Sequence, residues 1–387
     1  MAKKYIWQHS AWPNLQWDEQ ALAPLITQCR KKQHFLLGAV SVLGFDLRLQ
    51  AQGIILEKEV IETSAIEGEQ LDPEGVRSSV ANKLGLATAG SRPADRKTDA
   101  TVEVLLDAAK HFNTALSQER LKGWHAALFP DGYSGFHRIV TGDWRQQEME
   151  IVSGPEGRQQ VHYKAPPPEA VPEEIRSFLY WLNVNDLVSP PSAMDGLIRA
   201  GLAHYRFVAI HPFDDGNGRI ARALTDMALA QDENSAIRFY SLSNRIMQDR
   251  DAYYAVLERC SNGSGDVTPW LEWFLQSFQQ AVISSQQLIN RVLVKAGFWQ
   301  EFAGTELNPR QKKVVNTLLD AGQGNFEGYL AARKYRSLAK TTKATASRDL
   351  EDLIKKGIIK RLEGGGRSSK YDLTWERFEP GHVMGER

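Results

Sequence analysis

Cysteine is scarce in this chain: two of 387 residues, Cys29 and Cys260. Two distant thiols exclude a small disulfide-framed fold, and neither sits at a metal-binding spacing, so both read as buried apolar side chains. Long apolar runs are missing as well. No stretch approaches the roughly eighteen residues that cross a bilayer, and the opening MAKKYIWQHSAW lacks the apolar core and cleavage site of a secretory signal, so a cytoplasmic location without membrane contact is expected. Net charge is absent too, with 47 Lys+Arg against 47 Asp+Glu, so the overall charge names no partner. What remains, 42% hydrophobic and 24% charged residues, is ordinary for a soluble globular protein long enough to hold two domains.

What the chain does have is one dense stretch, HPFDDGNGRIAR from His211 to Arg222. Leu197, Ala200, His204 and Phe207 before it fall at helical spacing, as do Leu224, Met227 and Ala228 after it, so the stretch is a loop joining two helices. Gly216 and Gly218 permit positive φ and close approach of a ligand, while the unpaired N–H groups opening the second helix make an anion site. Arg219 and Arg222, three residues apart in the first turn, can reach one polyphosphate. Asp215 is a hard oxygen donor suited to a magnesium ion shared with phosphate oxygens, and His211 can accept a proton near neutral pH. Nucleotide phosphates, a metal and a base are the implied ingredients.

These residues resemble the signature of the Fic family, His-x-Phe-x-Asp/Glu-Gly-Asn-Gly-Arg-x-x-Arg, and fill all eight of its fixed positions. The resemblance implies a mainly α fold, a Fic-type helical domain carrying a β-hairpin flap. It also implies transfer of AMP from ATP, with Mg²⁺, to a Tyr, Thr or Ser hydroxyl of a target protein, or of this chain itself. His211 is then the catalytic base and Asp215 the metal ligand. Gly216, Asn217, Gly218 and Arg219 hold phosphates, and Arg219 and Arg222 grip the leaving pyrophosphate. AMP removal, transfer of another phosphate-containing group, and nucleotide sensing by a DNA-binding regulator stay open, as does a homodimer.

A second stretch, EKEVIETSAIEG from Glu57, reads as a short helix stopped by Gly68. Its Thr63-x-x-x-Glu67-Gly68 resembles the family's inhibitory Ser/Thr-x-x-x-Glu-Gly/Asn. The resemblance implies that Glu67 takes Arg222 in a bidentate pair and so keeps the triphosphate of ATP out of its reactive pose. Upstream, Trp7, Trp12 and Trp17 call for a leader lying across the main domain, and helical pattern runs from about Asp18 to Leu56 in pieces set by Pro24, Gly38 and Gly44. Asp72-Pro73 starts a further helix, and Thr98–Leu116 and Arg120–Leu128 follow; His125 reads as a core residue without chemistry.

Met149 to Tyr163 alternates around a Ser-Gly-Pro-Glu-Gly turn and reads as a β-hairpin before a proline stop. The family's flap matches this hairpin, which implies that it binds the target segment (about 149–163) by strand addition and that backbone at Val152, Ser153 and Gly154 lies near the base or ribose. RDAYYAVLERC resembles the family's Tyr-Tyr helix, placing Tyr253 beside the nucleotide.

Beyond Leu307 the pattern changes to three short helices and a hairpin with a Gly-rich tip, which resembles a winged helix-turn-helix. Between Pro309 and Arg377 there are 16 Lys+Arg against 8 Asp+Glu, leaving 31 against 39 elsewhere. Lys340, Lys343, Arg348, Arg367 and Lys370 fall on the candidate recognition helix and wing, where DNA phosphates would be met, although such modules also bind proteins. The expected division is 1–70 for leader and inhibitory region packed on the Fic core, 71–295 for the catalytic domain, and 305–377 for the winged helix.

Overall fold

Most helices of this protein begin where a short polar side chain caps them. In the computed structural model, which describes residues 5–86, 92–153, 160–187, 194–362 and 369–377, Asp18 accepts from the Ala21 amide to open α1 (Glu19–Ser41). Asp72 followed by Pro73 opens α3 (Pro73–Leu84). Asp95, Ser117 and Asp195 do the same for α4 (Arg96–Lys110), α5 (Gln118–Leu128) and α7 (Gly196–Ile210). Each cap satisfies an amide that the helix itself cannot.

Between α1 and α3 lies α2 (Phe45–Ile66). The chain breaks once, around Gly44, and α1 runs through Pro24 and Gly38. The expected boundary near Leu56 does not exist, because nothing there caps or stops a helix. The Thr63–Gly68 segment is therefore the end of a 22-residue helix rather than a short piece of its own. Downstream of α5 come a small hairpin, β1 (Tyr133–Ser134) with β2 (His137–Arg138), and a larger one, β3 (Glu150–Ser153) with β4 (Gln160–Lys164). Then follow α6 (Val171–Leu187), α7, α8 (Asn217–Glu233), α9 (Leu242–Gln248), α10 (Arg250–Ser261) and α11 (Thr268–Glu301).

The chain divides into two units, Met1–Ser285 and Gln286–Arg387, so the division falls within α11 rather than between 295 and 305. In the first unit α7 is buried on almost every side, as its continuous apolar sequence requires. Phe207, Ile210, Phe213, Leu224 and Met227 of α7, the loop and α8 share one core with Val60 of α2, so α2 packs on this core within the same unit. The leader is tied down through Trp7, whose indole donates to the Lys164 carbonyl (2.8 Å), and Trp12, whose indole donates to Glu174 (2.9 Å).

In the second unit α12 (Pro309–Ala321), α13 (Ala332–Ala339) and α14 (Lys343–Lys355) enclose Val314, Leu318, Tyr335, Leu350 and Leu353. β5 (Ile359–Arg361) and β6 (Tyr371–Leu373) form an antiparallel hairpin, and Leu330 bridges to Tyr371. Lys340, in the left-handed region (φ 46°), ends α13, and Thr342 caps α14. The Gly-rich tip of this hairpin, with Arg367, lies outside the described residues.

Candidate active site

The loop between α7 and α8 begins with a residue in an unfavourable backbone state. His211 has φ 51°, a left-handed conformation that a non-glycine residue adopts only when its surroundings hold it. Arg145 is the clamp. Its backbone N–H donates to the Pro212 carbonyl (2.9 Å), and its buried guanidinium donates to the carbonyls of His211 (2.8 Å), Gln147 (2.8 Å) and Pro166. Around the bend Asn217 returns both halves of its amide to the Phe213 backbone, accepting at 3.0 Å and donating at 2.8 Å. Its side chain thus closes the loop, and the second N–H of its amide nitrogen stays uncommitted.

Only one of the two loop glycines has positive φ. Gly216 does (79°), and a Cβ there would collide with the Phe129 ring. Gly218 is helical, contrary to expectation, and its need is for space: a Cβ would run into the Glu67 carboxylate and approach Arg222 Nη1 at 3.1 Å. The expected close approach exists, and what approaches is the protein's own acid.

His125 and Ser134 hold the acidic side of the loop. His125 Nδ1 accepts from the Gly142 N–H (3.0 Å), which fixes the tautomer so that Nε2–H donates to the Asp215 carbonyl (3.2 Å). The ring stacks on Phe213 with centroids 4.1 Å apart, and burial pushes its pKa down to about 4, so it acts as a neutral strut. Asp215 accepts from the Gly216 N–H and from the Ser134 hydroxyl, while Asp214 accepts from the Val140 N–H (2.8 Å). Read from its sequence, His125 was a core residue without chemistry, and nothing local distinguished Arg145 or Ser134.

His211 Nδ1–H donates to the Val208 carbonyl (3.2 Å), leaving Nε2 with the lone pair. Burial lowers its pKa to about 4, so the imidazole is neutral at pH 7 and available as an acceptor. It opens on a cavity of about 610 Å³ lined also by Glu67, Val152, Gly218, Tyr253 and Tyr254. Of the hairpin residues, Val152 lines this cavity, Ser153 ends β3, and Gly154 lies outside the described residues. Tyr253 is buried and its hydroxyl faces inward. Thr225 donates to the Ala221 carbonyl, so it accepts from His204 Nδ1–H (3.0 Å), and His204 Nε2 accepts from the Tyr253 hydroxyl (2.8 Å). The more exposed aromatic face in the cavity belongs to Tyr254.

The expected bidentate pair is replaced by a three-point clamp. Arg222 Nη2 donates to Glu67 Oε1 (2.8 Å) and to the Thr63 carbonyl (2.8 Å), and Nε donates to the Thr63 hydroxyl (2.7 Å). Thr63 contributes two of the three contacts because α2 ends against α8, so its last turn presents backbone as well as side chain. Gly68, in the left-handed region at φ 81°, ends that turn. Arg219 has a second acid, Glu69, at 3.0 Å, and stacks on Phe129 at 4.7 Å.

Among the described residues no three His, Cys, Asp or Glu side chains converge as a metal cage. Asp215 alone beside a helix N-terminus still suits magnesium, which takes one or two carboxylates and fills its remaining positions with substrate phosphates and water.

A helical unit organised around a glycine-containing loop that opens on a helix N-terminus is the class of protein these features define. Residues 115–229 match the Fic/DOC family model, and residues 5–86 match a domain of unknown function (DUF4172). The chain carries a domain of the Fic/DOC family. It is 28% identical over 227 residues to a protein adenylyltransferase Fic of Nematostella vectensis, covering 58% of this chain and 47% of the relative. It is 26% identical over 259 residues to the protein adenylyltransferase fic-1 of Caenorhabditis elegans, covering 66% and 45%. The chain thus spans about half the length of these curated relatives. Over 65 residues it is 42% identical to a uridine 5'-monophosphate transferase of Xanthomonas campestris, 16% of this chain and 12% of that one. A Fic family protein of Desulfovibrio desulfuricans shares the fold over 95% of this chain and 97% of its own, with a TM-score of 0.51 at 19% identity.

Proposed function

We propose that this protein transfers AMP from ATP to a hydroxyl side chain of a target protein and that Glu67 restrains the reaction. The observation that carries the reading is the convergence, on one cavity, of a neutral half-buried imidazole, the open first turn of α8 and a carboxylate on Arg222. In the reaction the target hydroxyl gives its proton to His211 Nε2, and its oxygen bonds to the α-phosphorus. The bond from that phosphorus to the bridging oxygen breaks, and pyrophosphate leaves. Arg219 and Arg222 receive the charge of the leaving group, with the amides opening α8 beside them. Magnesium, held by Asp215 and phosphate oxygens, would supply further neutralisation of that charge. Arg145, Asn217 and His125 keep the loop in the shape this requires.

The β3–β4 hairpin is a two-stranded sheet, so a target segment can pair along an outer edge through its backbone; the same geometry admits a segment of this chain, giving self-modification. While Glu67 and Thr63 hold Arg222, ATP cannot place its terminal phosphate there, and transfer is slow. The test uses ATP labelled at the α- or at the γ-phosphate, with parent, Glu67→Gly and Glu67→Gly/His211→Ala proteins in magnesium buffer. Label on protein from the α-position, strongest in Glu67→Gly and lost with His211, is expected. Label from the γ-position would instead mean phosphate transfer, and release of AMP from a modified protein would mean the reverse reaction.

A second reading concerns the second unit, and the exposed cations of its helix pair favour it: Arg333, Arg336, Lys340, Lys343 and Arg348 have no ion pair or side-chain hydrogen bond among the described residues. Duplex DNA, with its regular phosphates, is the partner this face suits. Retention of a duplex at low salt, lost with Lys343→Glu/Arg348→Glu, is expected; no shift at low salt would remove this reading.

A further inference from the structure

The end of α2 carries two acids, not one. Gly68 allows the last turn to close with the Gly68 N–H on the Ala65 carbonyl (2.9 Å) and the Glu69 N–H on the Ser64 carbonyl (3.0 Å), so Glu67 and Glu69 leave either side of one glycine in a fixed relation. They meet the two arginines of α8 one to one: Glu67 takes Arg222 at 2.8 Å and Glu69 takes Arg219 at 3.0 Å. Neither pairing saturates its guanidinium. Arg219 Nε and Arg222 Nη1 are buried donors without a partner, and Nη1 faces Gly218 in the first turn of α8. Buried donors left open are unfavourable, and an oxygen-rich polyanion satisfies them better than one carboxylate each.

We infer that Glu69 is a second restraining carboxylate, which withholds Arg219 from the polyphosphate as Glu67 withholds Arg222. The inference rests on the functional reading above and deepens it: the restraint has two halves, carried by one turn of helix. Lys97 of α4 pairs with the other oxygen of Glu69, so it draws charge away from the Arg219 contact and keeps that half the weaker one. A neutral side chain at 69 leaves Arg219 stacked on Phe129 and free to take phosphate.

The experiment titrates ATP with magnesium into the full chain by calorimetry, using parent, Glu69→Gln, Glu67→Gly, the double variant and Lys97→Met, with a thermal melt of each. Glu69→Gln is expected to bind ATP roughly two- to fivefold tighter, the scale of a partly exposed ion pair, and to do so on both the parent and the Glu67→Gly background. Lys97→Met is expected to bind ATP no tighter than the parent. Unchanged or weaker binding in Glu69→Gln on both backgrounds overturns the inference. So does equal tightening by Lys97→Met, which would make the pair a structural clip. If Glu69→Gln tightens binding but no variant transfers label, the proposed reaction fails and the second restraint stands. If label transfer holds while residue 69 affects neither binding nor transfer, the reverse is true.

Discussion

The two units use their cations in opposite ways. Arg219 and Arg222 of the first unit are 3% and 2% exposed, and each has a carboxylate partner. Arg333, Arg336, Lys340, Lys343 and Arg348 of the second unit are exposed on α13, the turn and α14, without ion pairs among the described residues. A buried, paired guanidinium can be claimed only by a ligand that replaces its partner atom for atom, so it suits a switch answering to one chemical group. Exposed unpaired charges act through a field that salt screens, suiting a partner recognised by charge spacing.

The largest effect is expected at the base beside the buried cations: His211→Ala should lower label transfer by about 10² to 10⁴ while the melting curve stays near that of the parent. Full activity in that variant would remove the base role. Next comes release of the buried pair, where Glu67→Gly should raise transfer on the order of tenfold or more, measured as initial rate at fixed ATP. An unchanged or lower rate in folded protein would count against the restraint.

The supports of the loop should follow. Arg145→Met leaves three carbonyls without their donor and should cost about 2–4 kcal/mol of stability by denaturant unfolding, against roughly 0.5 kcal/mol or less for Arg348→Met on the exposed face. Equal losses would erase the distinction between the two kinds of cation.

Smaller still is a pH effect. Burial, with Arg222 nearby, lowers the His204 pKa to about 3, below its ordinary value of 6.5. The neutral imidazole that accepts from Tyr253 therefore contributes stability that is complete above about pH 6.5 and is lost as pH falls from there toward about 3. Unfolding midpoints of parent and His204→Gln should converge across that window. Raising salt from about 0.05 to 0.2 M should weaken a duplex held by the second unit far more than it weakens ATP binding, and each removed phosphate contact should lower the salt slope by about one.

How much of this was legible beforehand follows range along the chain. Helix starts at Asp18 and Asp72 were visible because a cap acts within four residues. The loop from His211 to Arg222 was visible because its glycines, acid and arginines serve one another within three turns of chain. The unbroken α2 was misjudged where apolar period faded near Leu56, since burial against other helices replaces period as the stabilising term.

Sequence alone therefore determined the helical class, the loop between two helices from His211 to Arg222, the hairpin ahead of it, the pairing partner at Glu67 and the change of composition after Leu307. Tertiary packing alone set that Arg145 clamps the strained His211, that His125 and Ser134 brace Asp215, that Tyr253 turns its hydroxyl inward, and that Glu69 takes Arg219. The physical reason is common to these cases. A hydrogen bond or ion pair is set by distance in space, and the partners lie 17 to 150 residues apart in the chain, where no local pattern records which polar group will face which.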